Sequence, residues 1–214
     1  MTIEDNALDE RTLGPARHVE ELILRCCSDV IQTWYWFGRL TKLKRLTIDS
    51  CVFDQDTATK MGAHMHVLGT VSHLIIRGPF AKTVECHSLL REMKSVQRLT
   101  ISGMTILGLP LDVQELFYTG KKPLQADYTY VNPTIRFLKS VHAYIPGTGY
   151  CYSLERLDGV YGRHLRLGRN VTHLTLRKID ASDLQLAHDI RRASIKPNSL
   201  VLDFLPCTQE TLLA

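Results

Sequence analysis

The chain has 214 residues, 44% of them apolar and 22% charged, and it carries a formal net charge of +4. That balance belongs to a folded protein with a sizeable core and excludes a disordered one. The 26 Lys and Arg residues are scattered among 22 acids instead of forming a basic stripe, so charge makes no case for a nucleic-acid partner.

Residues 1–18 read as a polar N-terminal segment. They hold Glu4, Asp5, Asp9 and Glu10 and lack the apolar run of a signal peptide. No later stretch of about 20 apolar residues could cross a bilayer. The expectation is an intracellular protein, cytoplasmic or nuclear, with no membrane partner and with its six cysteines kept as thiols. In such a compartment the sequon Asn170-Val171-Thr172 stays idle.

From Val19 onward one phrase recurs: an apolar residue, two others, Leu, one other, then an apolar residue again. It reads Val19-Glu-Glu-Leu22-Ile-Leu24, Leu43-Lys-Arg-Leu46-Thr-Ile48, Val71-Ser-His-Leu74-Ile-Ile76, Val96-Gln-Arg-Leu99-Thr-Ile101 and Val171-Thr-His-Leu174-Thr-Leu176. Weaker copies are Val113-Gln-Glu-Leu116-Phe-Tyr118, Leu138-Lys-Ser-Val141-His-Ala143, Leu154-Glu-Arg-Leu157-Asp-Gly159 and a final Leu200-Val-Leu202. Alternation within each phrase predicts a short strand that buries its fourth and sixth residues and turns the neighbours outward. A strand of that kind cannot bury its apolar side alone, so the copies must stack.

Helical spacing over residues 57–68, 81–93 and 183–195 predicts helices between strands, with a shorter one from Asn132-Pro133 toward Leu138. Asp54 or Asp56 can cap the first, and Asp180 or Ser182 the third. Trp34-Tyr-Trp36-Phe37 reads as a cap over the N-terminal edge of the stack, with an exposed docking patch for another subunit as the alternative. Gly147-Thr-Gly149 reads as a loop, because no Gly-Lys-Ser/Thr and no helix start follow it. His64-Met-His66 and Cys86-His87 lack the companions of a zinc site and read as polar helix faces, so neither a metal nor a cofactor is expected.

Taking the fourth residue of each copy as its anchor places the anchors at 22, 46, 74, 99, 116, 141, 157, 174 and 200. Five of the eight steps between them fall within the roughly 20–29 residues of leucine-rich repeats. In Leu22-Ile-Leu24-Arg-Cys26-Cys27 and Leu46-Thr-Ile48-Asp-Ser-Cys51 a cysteine stands three residues past the second core position, with Ile179 in the same slot later. The chain thereby resembles leucine-rich repeats, which place Asn or Cys where the chain leaves the sheet. With its irregular period it is similar to the degenerate repeat region of fungal F-box-type proteins over residues 19–205.

That resemblance implies an α/β leucine-rich-repeat-like solenoid: a curved parallel sheet with helices and loops on the convex side, followed by a tail over residues 206–214. In that family the repeats recognise a substrate while an F-box contacts the ubiquitin-ligase scaffold. Residues 1–18 are too short for the three-helix F-box and lack its Leu-Pro opening. The resemblance therefore extends only to the recognition half of such an adaptor.

Solenoids bind partners on the concave side. Positions one before, one after and three after each anchor line that side. The first column holds Arg45, His73, Arg98, Glu115, Ser140 and Arg156. The second holds Thr47, Ile75, Thr100, Phe117 and His142, and the third includes Arg77 and Tyr144. Mixed charges among exposed apolar residues resemble the centre of protein interfaces. The partner-binding set is accordingly Arg45, Thr47, His73, Ile75, Arg77, Arg98, Thr100, Glu115, Phe117, His142 and Tyr144, with Arg45, Arg77, Arg98 and Phe117 as its hot spot. The sequence thus reads as a non-catalytic module for a protein partner, a monomer or a dimer joined through the last strand's edge. The alternatives are an enzyme with His73, His142 or His173 as general base, and a diverged structural repeat protein.

Overall fold

Alternating Leu, Ile, Val and Thr make short strands, and parallel strands with one face packed inward pair most easily when each copy follows the last in space. The computed structural model has this arrangement. It describes residues 1–4, 17–27, 39–51, 69–78, 95–103, 112–119, 134–144, 153–160, 170–179, 191 and 197–204. These contain ten strands: β1 (Thr2–Glu4), β2 (Glu21–Arg25), β3 (Arg45–Asp49), β4 (His73–Arg77), β5 (Ser95–Ser102), β6 (Asp112–Thr119), β7 (Phe137–Tyr144), β8 (Arg156–Val160), β9 (His173–Ile179) and β10 (Ser199–Phe204).

All ten pair in parallel, in sequence order, in one open sheet. The architecture is solenoid-like, with each strand bonded only to its neighbours in sequence. Helices expected over 57–68 and 81–93 lie outside the described residues, as does that over 183–195 apart from helical Arg191. The aromatic cluster at 34–37, the glycines at 147 and 149, and the His64, His66, Cys86 and His87 motifs also lie outside them. Among the described residues no helix is long and apolar enough to cross a membrane.

Leu22, Leu46, Leu74, Leu99, Leu116, Leu138, Leu157, Leu174 and Leu200 occupy equivalent positions along the sheet. The first eight are at most 2% exposed. Leu43, Val71, Val96, Val113, Ile135, Leu154 and Val171, three residues before their anchors, are buried with them. Burial of each such side chain stabilises the fold by roughly 1.5–3 kcal/mol. Leu200, in contrast, is 45% exposed, and among the described residues β10 has a strand on one side only.

Two features differ from the sequence expectation. The sheet begins one strand earlier, since Ile3 of the supposed polar segment pairs with Leu24 and is buried. In β7 the anchor is Leu138, not Val141, so the copy reads Ile135-Arg-Phe-Leu138-Lys-Ser140. From 116 to 138 and from 138 to 157 the steps become 22 and 19 residues. Ser140 is a poor core residue by composition, which hides the true register. It is nevertheless only 1% exposed, in a row where its neighbours are the wholly buried Tyr118 on one side and the small Gly159 on the other.

The exits from the strands share a backbone device. Cys26, Ser50, Gly103 and Lys178, each four residues past its anchor, adopt φ of 49°, 53°, 79° and 56°. The left-handed turn reverses the side-chain alternation, so that Cys27, Cys51 and Ile179 point inward and are buried. The Cys26 and Ser50 amides donate to the Asp49 and Arg77 carbonyls of the following strands at 3.0 and 2.8 Å. The Cys27 thiol lies 3.5 Å from the Ile3 carbonyl and the Cys51 thiol 3.6 Å from that of Leu24, repeating one contact a strand apart. Cys26, Cys27 and Cys51 are free thiols, and burial pushes that of Cys51 up to about 11.

Candidate functional site

Because alternate residues of every strand face inward, the remaining ones form rows across the opposite, open face. One row runs Arg45, His73, Arg98, Glu115, Phe137, Arg156, His173 and Ser199. A parallel row runs Thr47, Ile75, Thr100, Phe117, Lys139, Asp158, Thr175 and Val201. Arg45, Arg77 and Arg98 are exposed, while Thr47, His73, Ile75, Thr100, Glu115 and Phe117 are half-buried. These nine of the expected partner-binding residues therefore share one face.

The shifted register of β7 changes the other two. Phe137 and Lys139 hold the places expected for Ser140 and His142. The backbone of Tyr144 returns to the third column, opposite Val160, after an irregularity in the pairing. Side chains of residues 141–144 lie outside the described set. Sequence reading missed Phe137 and Lys139. The signal that could have found them is the bulk of Tyr118, which calls for a small residue beside it.

Charges on the face are largely spent on one another. Arg98 Nε donates to Glu115 Oε2 at 2.6 Å across β5 and β6. At the strand starts Arg136 grips Glu155 with two hydrogen bonds of 3.0 Å, and Lys44 meets Glu20 at 2.9 Å. Asp158 is shared by Lys139 at 3.3 Å and by Nε and Nη2 of Arg177 at 2.9 and 3.2 Å. Burial tends to raise its pKa, but the hydrogen bonds and charges of Arg177 and Lys139 outweigh this and hold the carboxyl below the usual aspartate range.

An acid whose folded pKa is depressed stabilises the fold above its unfolded value, and loses that contribution as pH falls through the folded one. Asp158→Ala is expected to cost about 1–2 kcal/mol at pH 7, since it leaves Lys139 and Arg177 facing each other without their shared acceptor. The difference from wild type in urea-unfolding free energy should shrink as pH is lowered below about 4. A difference that stays constant down to the acid transition would reject this account of Asp158.

His73 and His173 stand in equivalent places and are held alike. Nδ1 of each lies 2.9 Å from the hydroxyl of the preceding residue, Ser72 or Thr172. Those hydroxyls also donate to the Lys44 and Glu155 carbonyls at 3.2 Å. A hydroxyl has one proton, so while it serves the carbonyl the imidazole must donate from Nδ1. Such a hydroxyl is a positioning group rather than an activated nucleophile. Burial, with Arg45 and Arg98 on either side, lowers the His73 pKa, so at pH 7 its ring is neutral within a positive neighbourhood.

A depression of about 430 Å³ opens on this face between β5 and β8, lined by Arg98, Gln114, Glu115, Phe117, Arg136, Phe137, Glu155 and Arg156. Its floor carries Phe117 and Phe137 edge to face, with ring centroids 5.2 Å apart and an interplanar angle of 76°. Of the expected hot spot, Arg98 and Phe117 line this depression. Arg45 sits two strands from Arg98, and Arg77 sits near the other end of β4. Among the described residues no group of three or more His, Cys, Asp or Glu side chains is placed to hold a metal.

No family model matches the chain, and no curated protein matches it.

Proposed function

We propose that this chain is a non-catalytic, leucine-rich-repeat-like module that binds a protein partner on the open face of its sheet. One observation carries the reading: half-buried Phe117 and Phe137 stand side by side in a depression rimmed by arginines and acids. Protein interfaces combine an aromatic and Arg-rich centre with a polar rim in this way, and most of their binding energy comes from a few such residues. The charge pairs already formed across the strands offer the partner a fixed pattern of signs, which favours selectivity over raw affinity. Service as the recognition part of an F-box-type ubiquitin-ligase adaptor is the finer form of this proposal.

The test is capture from extracts of the source organism, comparing wild type with the combined Arg45→Ala, Arg77→Ala, Arg98→Ala and Phe117→Ala variant. All four side chains are exposed or half-buried on one face, so the variant should retain its fold, checked by circular dichroism and its unfolding midpoint. Proteins retained by wild type should fall at least about tenfold on the variant. Equal recovery would reject this face as the binding surface, and recovery of ligase scaffold subunits would support the finer form.

A further inference from the structure

Among the described residues around the depression the positive charges outnumber the negative. Its lining holds three guanidinium groups, Arg98, Arg136 and Arg156, and two carboxylates, Glu115 and Glu155. Glu115 is spent on Arg98, and Glu155 is gripped by Arg136 through both oxygens. Asp158, two residues beyond Arg156 on the same strand, is spent on Lys139 and Arg177. Arg156 therefore has no ionic or hydrogen-bonding side-chain partner among the described residues, although carboxylates stand on both sides of it in the sequence. Its neighbour across the sheet is Phe137, whose ring meets that of Phe117.

An unspent guanidinium beside an aromatic step is a composite receptor. The planar fork donates two parallel hydrogen bonds to a carboxylate, and the rings receive an apolar side chain on the adjoining residue. Resting on the proposed protein-binding role, we infer that the depression between β5 and β8 recognises an extended segment of the partner in which an acidic residue adjoins a large apolar one. The carboxylate seats on Arg156 and the apolar side chain covers Phe117 and Phe137. A basic segment is disfavoured there because Glu115 and Glu155 are already neutralised and the described lining residues carry an excess of one positive charge.

The experiment is selection of displayed random 12-residue peptides on the immobilised full chain, run in parallel on wild type, Arg156→Gln and Arg25→Gln. Arg25 is an exposed guanidinium on β2, remote from the depression, and serves as the charge control. Peptides enriched on wild type should carry Asp or Glu next to Leu, Ile, Phe, Tyr or Trp, should vanish from the Arg156→Gln selection and should persist on Arg25→Gln. For a fluorescein-labelled winner, replacing its acid by the amide, or using Arg156→Gln, should weaken binding about tenfold or more in polarisation measurements, with a further loss as salt rises. Enrichment of another composition, or of the same one on Arg156→Gln, overturns this inference and leaves peptide binding by the face standing. No enrichment on any of the three overturns the inference, and it counts against the protein-binding role as well.

Discussion

Leu116→Ala should lower the free energy of unfolding by about 3–4 kcal/mol, and Leu200→Ala by less than about 1 kcal/mol, although both residues occupy the same column of the sheet. Leu116 is fully buried between Leu99 and Leu138, in a strand hydrogen-bonded on both sides. Truncation there loses the transfer energy of the removed carbons, and the flanking ladders hold the void open, so little is recovered by collapse. Leu200 sits in the edge strand at 45% exposure and leaves no comparable void. Urea denaturation of the two variants with a common slope measures the contrast. Equal losses would mean that the column of leucines is not the continuous core from which the placement of the open face follows.

That column was legible because its chemistry is redundant. Val19 to Leu24, Leu43 to Ile48 and Val71 to Ile76 each state the same strand, and parallel neighbours with one inward face leave little freedom in register. The cysteine slot was legible too, since Cys27, Cys51 and Ile179 all turn inward after the strand. Two elements were not. Strand β1 carries a single buried side chain, Ile3, amid Met1, Thr2 and Glu4, and one apolar residue sets no period. Strand β7 offers two framings, and the one with Val141 as anchor has the better hydrophobic pattern locally. It loses because packing is decided between strands, where Tyr118 needs a small neighbour. The candidate site inherits both outcomes: Arg45, His73, Arg98, Glu115 and Phe117 followed from the period, whereas Phe137 and Lys139 depended on a volume match that only the assembled sheet displays. That the Arg156 side chain has no partner among the described residues depends on the pairings of Arg136, Lys139 and Arg177, which join segments 19 residues apart in sequence and leave no local mark.

The same volume match yields the second large effect. Ser140→Leu inserts three extra carbons next to a wholly buried Tyr118, in a position 1% exposed, and should destabilise the fold by about 2–3 kcal/mol through overpacking. Tyr118→Leu alone should cost a similar amount, because the shortened side chain leaves a cavity bordered by Ser140, which cannot fill it. Combined, the two substitutions exchange a large and small pair for two of intermediate size. The double variant should therefore be more stable than the sum of the single losses predicts by at least about 1.5 kcal/mol, within the range for residues in direct contact. Tyr118→Phe, which removes the hydroxyl and keeps the ring, separates any hydrogen bond between the two hydroxyls from the packing part of the coupling. Ala143→Leu provides the contrast: if Val141 were the anchor opposite Leu116, Ala143 and not Ser140 would stand opposite Tyr118 and couple to it. A cycle in which Ala143 couples and Ser140 does not would move the β7 register by three residues, and it would take Phe137 off the open face together with the aromatic step that the binding proposal uses.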